Sequence, residues 1–306
     1  MDPLILLFAL GVAARLARSD LRFPEPVYEA LSIYLLLAIG LKGGVELSHQ
    51  PLAGLAWPAT AAVVLGFAVP FMVFPLLRHL VGLTRADAAS VAAHYGSVSV
   101  VTFAIAGAFL ERRGIAVEGF MPVLLALMEA PGIIAGVLLA RAGSLGGPSV
   151  LREVAVNKGI VLLAGGILVG FIVGGDGYAS LKPLFSDLFR GVLALYLLEL
   201  GLVVGGRFPD LRRAGWRLVC FGVVTPAVFG VLGLLCGAWM LGLSAGGAVV
   251  FGVLMASASY IAAPAAMRMA VPEANPALGI SAALAVTFPF NVFVNIPLLA
   301  RLGEAL

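Results

Sequence analysis

Apolar runs about twenty residues long alternate along this chain with short stretches that hold charge and proline. A helix that crosses a bilayer needs about 20 mostly apolar residues. Ten segments meet or approach that length: 2–17, 27–45, 56–80, 88–110, 119–141, 157–175, 186–206, 214–241, 245–268 and 276–301. The first is short, and the fourth and ninth are unusually rich in Ser, Gly and Ala. The pattern predicts an all-α integral membrane protein with about ten transmembrane helices.

The pattern also repeats. Residues 30–44 (ALSIYLLLAIGLKGG) resemble 192–206 (VLALYLLELGLVVGG), and AGLAW at 53–57 echoes AGW at 214–216. GSVS at 96–99 echoes ASAS at 256–259, and LLAR recurs at 138–141 and 298–301. All four pairs keep chain order at an offset of about 160 residues. Each repeat, about 1–141 and about 157–306, holds five spans. An odd number turns the second repeat over in the membrane, and inverted five-helix repeats are a build of secondary transporters, with broken helices meeting near the midplane. Helices 4 and 9 are the candidates for breakage. The hydrophilic stretch 142–157 is too short for a soluble domain, so a single transmembrane domain over 1–306 is expected.

Composition agrees. Of the residues 61% are hydrophobic and 11% charged, with a mean hydropathy of +1.09. A soluble domain is about one-quarter charged, so a water-exposed enzyme surface is excluded. Laid over the ten spans, the basic residues divide unevenly. Thirteen (Arg15, Arg18, Arg22, Arg78, Arg85, Arg141, Arg152, Lys158, Arg207, Arg212, Arg213, Arg217, Arg268) fall on one side and six (Lys42, Arg112, Arg113, Lys182, Arg190, Arg301) on the other. The positive-inside rule makes the richer side cytoplasmic. Both termini are then external, in a multi-pass protein of the plasma membrane. Met1 to Arg18 reads as a first span, since no basic region precedes it as in a removable signal. Cys220 and Cys236 are 16 residues apart in one apolar run, about 24 Å along a helix, beyond disulfide reach.

Chemistry concentrates in the fourth and ninth spans, HYGSVSVVT at 94–102 and SASYIAAP at 257–264. Where two helices break face to face, free N–H groups and positive helix ends hold a small anion without a buried Lys or Arg. Ser97, Ser99, Thr102, Ser257 and Ser259 would add hydroxyl donors. The same small residues also suit plain helix packing. Glu129 lies inside the fifth span just before Ala130 and Pro131. A carboxylate at the bilayer centre costs about 2.5–3.5 kcal/mol, and Pro131 frees a carbonyl one turn back. Together they suit Na⁺ or a carried proton, or a structural bond to a neighbour. Asn291 and Asn295, four apart on one face, either bond across helices or, with Asn291 foremost, coordinate a cation. Glu199 pairs with an Arg or lines an interface, His94 reads as a hydrogen-bonding core residue, and Lys42 with Glu46 reads as an interfacial ion pair. Enzyme signatures are missing: there is no phosphate-binding loop, His49, His79 and His94 lack metal-ligand spacing, and the Gly-rich piece 143–147 lacks the context of a dinucleotide fingerprint.

Nearly the whole chain resembles the sodium-dependent bicarbonate transporter family. The resemblance is carried by IGLKGG at 39–44, GSVSVVT at 96–102, MEAP at 128–131, PLF at 183–185 with LFRG at 188–191, and VPEANP at 271–276. It implies Na⁺-coupled bicarbonate uptake, a homotrimer, and no cofactor beyond the coupling ion. Against the family pattern, Tyr260 stands in place of an Asp, Glu129 in place of another, and Ala262 and Val101 replace hydroxyl residues. The family's loop between the halves is short here, which counts against its PII-like regulatory partner. Two other functions fit the residues: a proton-coupled carrier of another small carboxylate or anion, and a non-transporting receptor or assembly subunit.

Overall fold

A computed structural model describes residues 3–49, 54–141, 152 and 155–306, with the backbone alone for 210–214. The Gly-rich piece 143–147, most of the stretch 142–157 and Ala53 lie outside the described residues. Those residues are largely helical and contain no strand. Among them, eight helices are long and apolar enough to cross a membrane, and two shorter apolar helices accompany them.

In chain order the helices are α1 (Pro3–Leu16), α2 (Glu25–Ser48), α3 (Ala56–Val81), α4 (Arg85–Gly96), α5 (Val100–Arg112) and α6 (Met121–Ala140). Then come α7 (Lys158–Tyr178), α8 (Phe189–Ala214), α9 (Trp216–Met240), α10 (Ala245–Ala256), α11 (Ala262–Ala270) and α12 (Pro276–Glu304). Helices occupy all ten predicted segments. The fourth is split into α4 and α5 and the ninth into α10 and α11, while the seventh runs past its predicted end to Ala214.

Local sequence explains much of this. Prolines sit in the first turns of α2, α6 and α12, where the missing N–H is not needed. Inside α9, Pro226 cannot donate to the carbonyl one turn back, and the Thr287 hydroxyl of α12 donates to that Gly222 oxygen instead, at 2.8 Å. Tyr95 Oη meets Thr287 Oγ1 at 2.6 Å, so α4, α9 and α12 are pinned at one point. A pattern at the end of α3 recurs at the end of α9. Each closes in a π-helical turn (Leu77–Val81, Cys236–Met240), passes a left-handed glycine (Gly82, φ 86°; Gly242, φ 65°) and enters a helix capped by a hydroxyl. Thr84 Oγ1 accepts from Asp87 N, and Ser244 Oγ from Gly247 N, at 3.1 Å each. The helix that follows is twelve residues long in both cases.

The helices pack in two groups. In the first, α1 lies along α8 and α2 along α7, and α2 also touches α8. Both long contacts depend on glycine. A Cβ on Gly40 would strike the Leu163 carbonyl and Gly166, and one on Gly11 would strike the Leu198 carbonyl and Gly201. Such close backbone approach is the usual basis of helix association in lipid. The second group holds α3, α4 and α6 together, and α9, α10 and α12 together, with α5 against α10 and α11 against α4 and α6. Trp216 and Trp239, at opposite ends of α9, are each 72% exposed. They stand about 35 Å apart along the helix, close to the roughly 30 Å of a hydrocarbon core, as interfacial tryptophans do. Trp57 at the head of α3 donates its indole N–H to the Met240 carbonyl at 2.9 Å.

Candidate functional site

The two helix breaks cross each other in the middle of the second group. Extended backbone at Ser97 and Ser99 separates α4 from α5, and extended backbone at Ser257 opens the break between α10 and α11. The bare ends are satisfied mutually. Ser99 N–H donates to Ser257 Oγ at 3.0 Å, and Ser257 Oγ–H donates to the Leu254 carbonyl at 2.9 Å. Ser259 N–H is shared between the carbonyls of His94 (2.8 Å) and Ser97 (3.0 Å). His94 Nδ1–H donates back to the Ser259 carbonyl at 2.6 Å. Several N–H groups expected to be free for a ligand are therefore taken by the opposite break. Buried backbone donors find the nearest acceptor, and here that acceptor lies about 160 residues away.

Hydroxyls hold the new helix starts. Ser99 Oγ accepts from Thr102 N–H at 3.2 Å and from Thr102 Oγ1–H at 2.9 Å, while Ser259 Oγ accepts from Ala263 N–H at 3.3 Å. The Ser99 lone pairs are thus both used, and its proton remains to donate. Ser97 Oγ is buried with no partner. The five predicted hydroxyl residues are brought together at this crossing, with Ser99 and Ser259 lining a cavity of about 10 Å³.

Glu129 lines the same cavity from α6 and is only 3% exposed. Its Oε1 lies against Gly159 in the first turn of α7, where a Cβ would come within 3.0 Å of it, and Asn157 caps that turn by accepting from Gly159 N–H at 3.0 Å. Its Oε2 is buried without a partner. The carboxylate thus reaches from α6 across to the other helix group, and Gly159 leaves the room. The remaining lining comes from Leu36, Val98, Val100, Tyr260 and Ile261. Tyr260 was not among the predicted site residues. Its hydroxyl is buried beside Ser99, whose remaining proton points to the phenol oxygen, while the phenol's own proton has no acceptor, and its ring packs edge-on to Phe288 at 5.8 Å.

The structure does not bring Asn291 to Glu129. Asn291 Nδ2 donates to the Ala256 carbonyl at the end of α10 (2.9 Å), and its Oδ1 accepts from Asn295 Nδ2 (2.9 Å), which also donates to the Pro226 carbonyl (3.0 Å). The pair ties α12 to the open end of α10 and to the backbone of α9. Lys42 and Glu46 form no ion pair with each other. Both line a larger cavity, about 770 Å³, between α2 and the Tyr178–Arg190 segment on one wall and α5 and residues 115–122 on the other. Its floor includes Ile39 and Phe103, one helical turn from Leu36 and Ser99 of the small cavity. Glu199 keeps one buried oxygen without a partner. Cys220 and Cys236 are free thiols. Among the described residues no cluster of three His, Cys, Asp or Glu could hold a metal ion, so any cation here would rest on one carboxylate, hydroxyls and carbonyls.

Apolar helices that keep their orphaned polar groups where two interrupted helices cross have the build of a solute carrier. The sequence profile of the Na⁺-dependent bicarbonate transporter superfamily matches residues 3–304, and the chain belongs to that superfamily. It is a multi-pass membrane protein of a transporter family, with Na⁺-dependent bicarbonate transport as the family's character. A search of curated proteins finds no match.

Proposed function

We propose that the protein is a secondary active transporter that carries bicarbonate with Na⁺ by alternating access. The observation that carries this reading is the small cavity at the crossing, where donor hydroxyls and an unpartnered Glu129 oxygen face the same space. Ser97, Ser99, Thr102, Ser257 and Ser259 surround the anion, those with free protons donating to it. Glu129 supplies the anionic oxygen for Na⁺. Asn291 acts one step removed, by fixing the end of α10, unless the ion moves there in another state of the cycle.

Ten spans in two inverted five-helix repeats are the architecture behind this. The matched π-turn, glycine and cap before α4 and α10 support it. So do the ties of these two helix starts: Asn275 N–H donates to Asp87 near the start of α4 (2.7 Å), and Ser244 N–H to Glu118 at the start of α10 (2.6 Å). Each half-helix is held by the loop that precedes the last span of the other half. The group with the crossing would slide against α1, α2, α7 and α8, which supply Leu36 and Gly159 to the cavity wall. With both termini external in the plasma membrane, the 770 Å³ cavity opens outward. The homotrimer implied by the family is kept, and the PII-like regulator is not.

Uptake of labelled bicarbonate into liposomes holding the purified protein, with and without an inward Na⁺ gradient, tests the reading. Na⁺-dependent uptake that falls at least tenfold in Glu129→Ala is the expected result. Uptake that persists without Na⁺ and follows a proton gradient would replace Na⁺ by H⁺, which a cavity of this size also accommodates.

A further inference from the structure

Two residues that line the small cavity each carry a buried polar atom without a partner, and the two atoms have opposite hydrogen-bonding roles. One is the Tyr260 hydroxyl and the other is Glu129 Oε2. Tyr260 cannot give its proton to Ser99 beside it, because both lone pairs of that oxygen already accept from Thr102. The rest of the wall is Leu36, Val98, Val100, Gly159 and Ile261 beside Ser259, whose oxygen accepts one bond, from Ala263, and none from Tyr260. A buried donor and a buried carboxylate oxygen left unpaired are each costly, so the cavity is built for something that accepts from one and donates to the other.

Resting on the bicarbonate reading, we propose that Tyr260 and Glu129 form a donor–acceptor pair that selects an oxyanion carrying its own hydroxyl. Tyr260 donates to an unprotonated oxygen of the ion, and Glu129 accepts from its O–H. This also resolves a conflict of charge. A carboxylate beside an anion is repulsive, but a substrate hydroxyl turned toward Oε2 interposes a proton between the two negative groups, and the coupling cation offsets the remainder. Nitrate has the same planar shape and charge as bicarbonate and no hydrogen, so it leaves Glu129 facing a bare oxygen. A site that uses a substrate O–H rejects the analogue that lacks it, because its own polar group is then stranded. The cavity as it stands holds one oxygen-sized group, and entry of the whole ion requires the wall contributed by Leu36 and Gly159 to draw back.

The test compares Tyr260→Phe, Glu129→Gln and the parent protein in liposomes, reading KM for bicarbonate and the inhibition constant of nitrate. The ring of Tyr260→Phe keeps its contact with Phe288, and thermal unfolding of the same preparations checks the fold. A hydrogen bond to an ion is worth about tenfold or more in binding, so KM should rise about tenfold in Tyr260→Phe with the KM for Na⁺ unchanged. Nitrate should inhibit the parent at least tenfold more weakly than bicarbonate competes, and this gap should narrow in Glu129→Gln, whose amide can donate to nitrate. Replacing Tyr260 by 3-fluorotyrosine, a stronger donor of nearly the same size, should lower KM and needs no change in packing. A KM within twofold of the parent in both Tyr260 variants would mean the phenol binds only water, and would overturn the proposal. Equal competition by nitrate and bicarbonate in the parent would do the same. Anion-induced thermal stabilisation is measured alongside. A parent that moves no bicarbonate but is stabilised by another hydroxyl-bearing oxyanion through Tyr260 would remove the substrate reading and keep the pair. A parent that responds to no anion would remove both.

Discussion

At the scale of single residues, the hydroxyls of the crossing do two different jobs, and mutation separates them. Ser257 Oγ accepts the Ser99 N–H and donates to Leu254, so it holds the two breaks together. Ser257→Ala leaves a buried N–H unpaired, a loss of about 1–3 kcal/mol, and should lower the melting temperature in detergent as well as uptake. Ser97 Oγ has no partner to lose. Ser97→Ala should melt with the parent and show its effect only in KM for the transported anion. If both variants melt alike, the division between scaffold and site hydroxyls is wrong. The sequence could name these serines, because small hydroxyl residues in an apolar span stand out. It could not say which joined the two breaks, because Ser257 and the Ser99 N–H it accepts from are 158 residues apart in the chain and meet only at the crossing. Tyr260 was missed for a related reason: an aromatic residue in a membrane helix looks like packing until the Ser99 lone pairs are seen to be full.

At the scale of elements, proline and its compensation come as a pair. Pro226 leaves the Gly222 carbonyl of α9 open, and Thr287 of α12 closes it. A neighbouring hydroxyl that re-satisfies a freed backbone group is what allows proline in a membrane helix. Thr287→Val alone should cost about 1–3 kcal/mol, read as a lower melting temperature. In a Pro226→Ala background, where the helix supplies its own N–H, the same change should cost clearly less. Additive effects in this double-mutant cycle would break the link. The spans themselves were legible, since a run of about 20 apolar residues is set by bilayer thickness alone. The Asn291–Asn295 pair was legible as a pair from its spacing, and its partners on α9 and α10 were not. Lys42 and Glu46 also have the right spacing, yet they turn to the large cavity without pairing. Surface ion pairs are worth little against water, and spacing by itself does not make one.

At the scale of the whole molecule, the two helix groups meet along both cavities, and the orientation of the larger one decides which side the protein now serves. Gly107 lines that cavity, and a Cβ there meets nothing within 4 Å. Gly107→Cys, in a background with Cys220 and Cys236 changed to Ala, should react with a membrane-impermeant thiol reagent added outside intact cells. Na⁺ and bicarbonate together should slow the reaction as the groups close. Labelling only from the cytoplasmic side would reverse the topology drawn from the basic residues. The charge asymmetry from which this orientation is proposed is plain in the sequence. The cavity was not, because its walls come from α2, α5 and the segment before α8, which no local pattern associates.

The large cavity also shapes the electrical profile of the protein. In the orientation proposed above, open to the outside, it would carry the external potential as far as Ile39 and Phe103. The membrane voltage then falls across what lies below, beginning with the single turn that separates this floor from Ser99. An ion stepping from that floor to Glu129 crosses only a small part of the field, so its capture is nearly indifferent to voltage. In the proposed cycle any voltage dependence falls instead on the movement of the crossing past α2 and α7. A one-to-one load of Na⁺ and bicarbonate, being neutral, would carry no net charge through the field in that step.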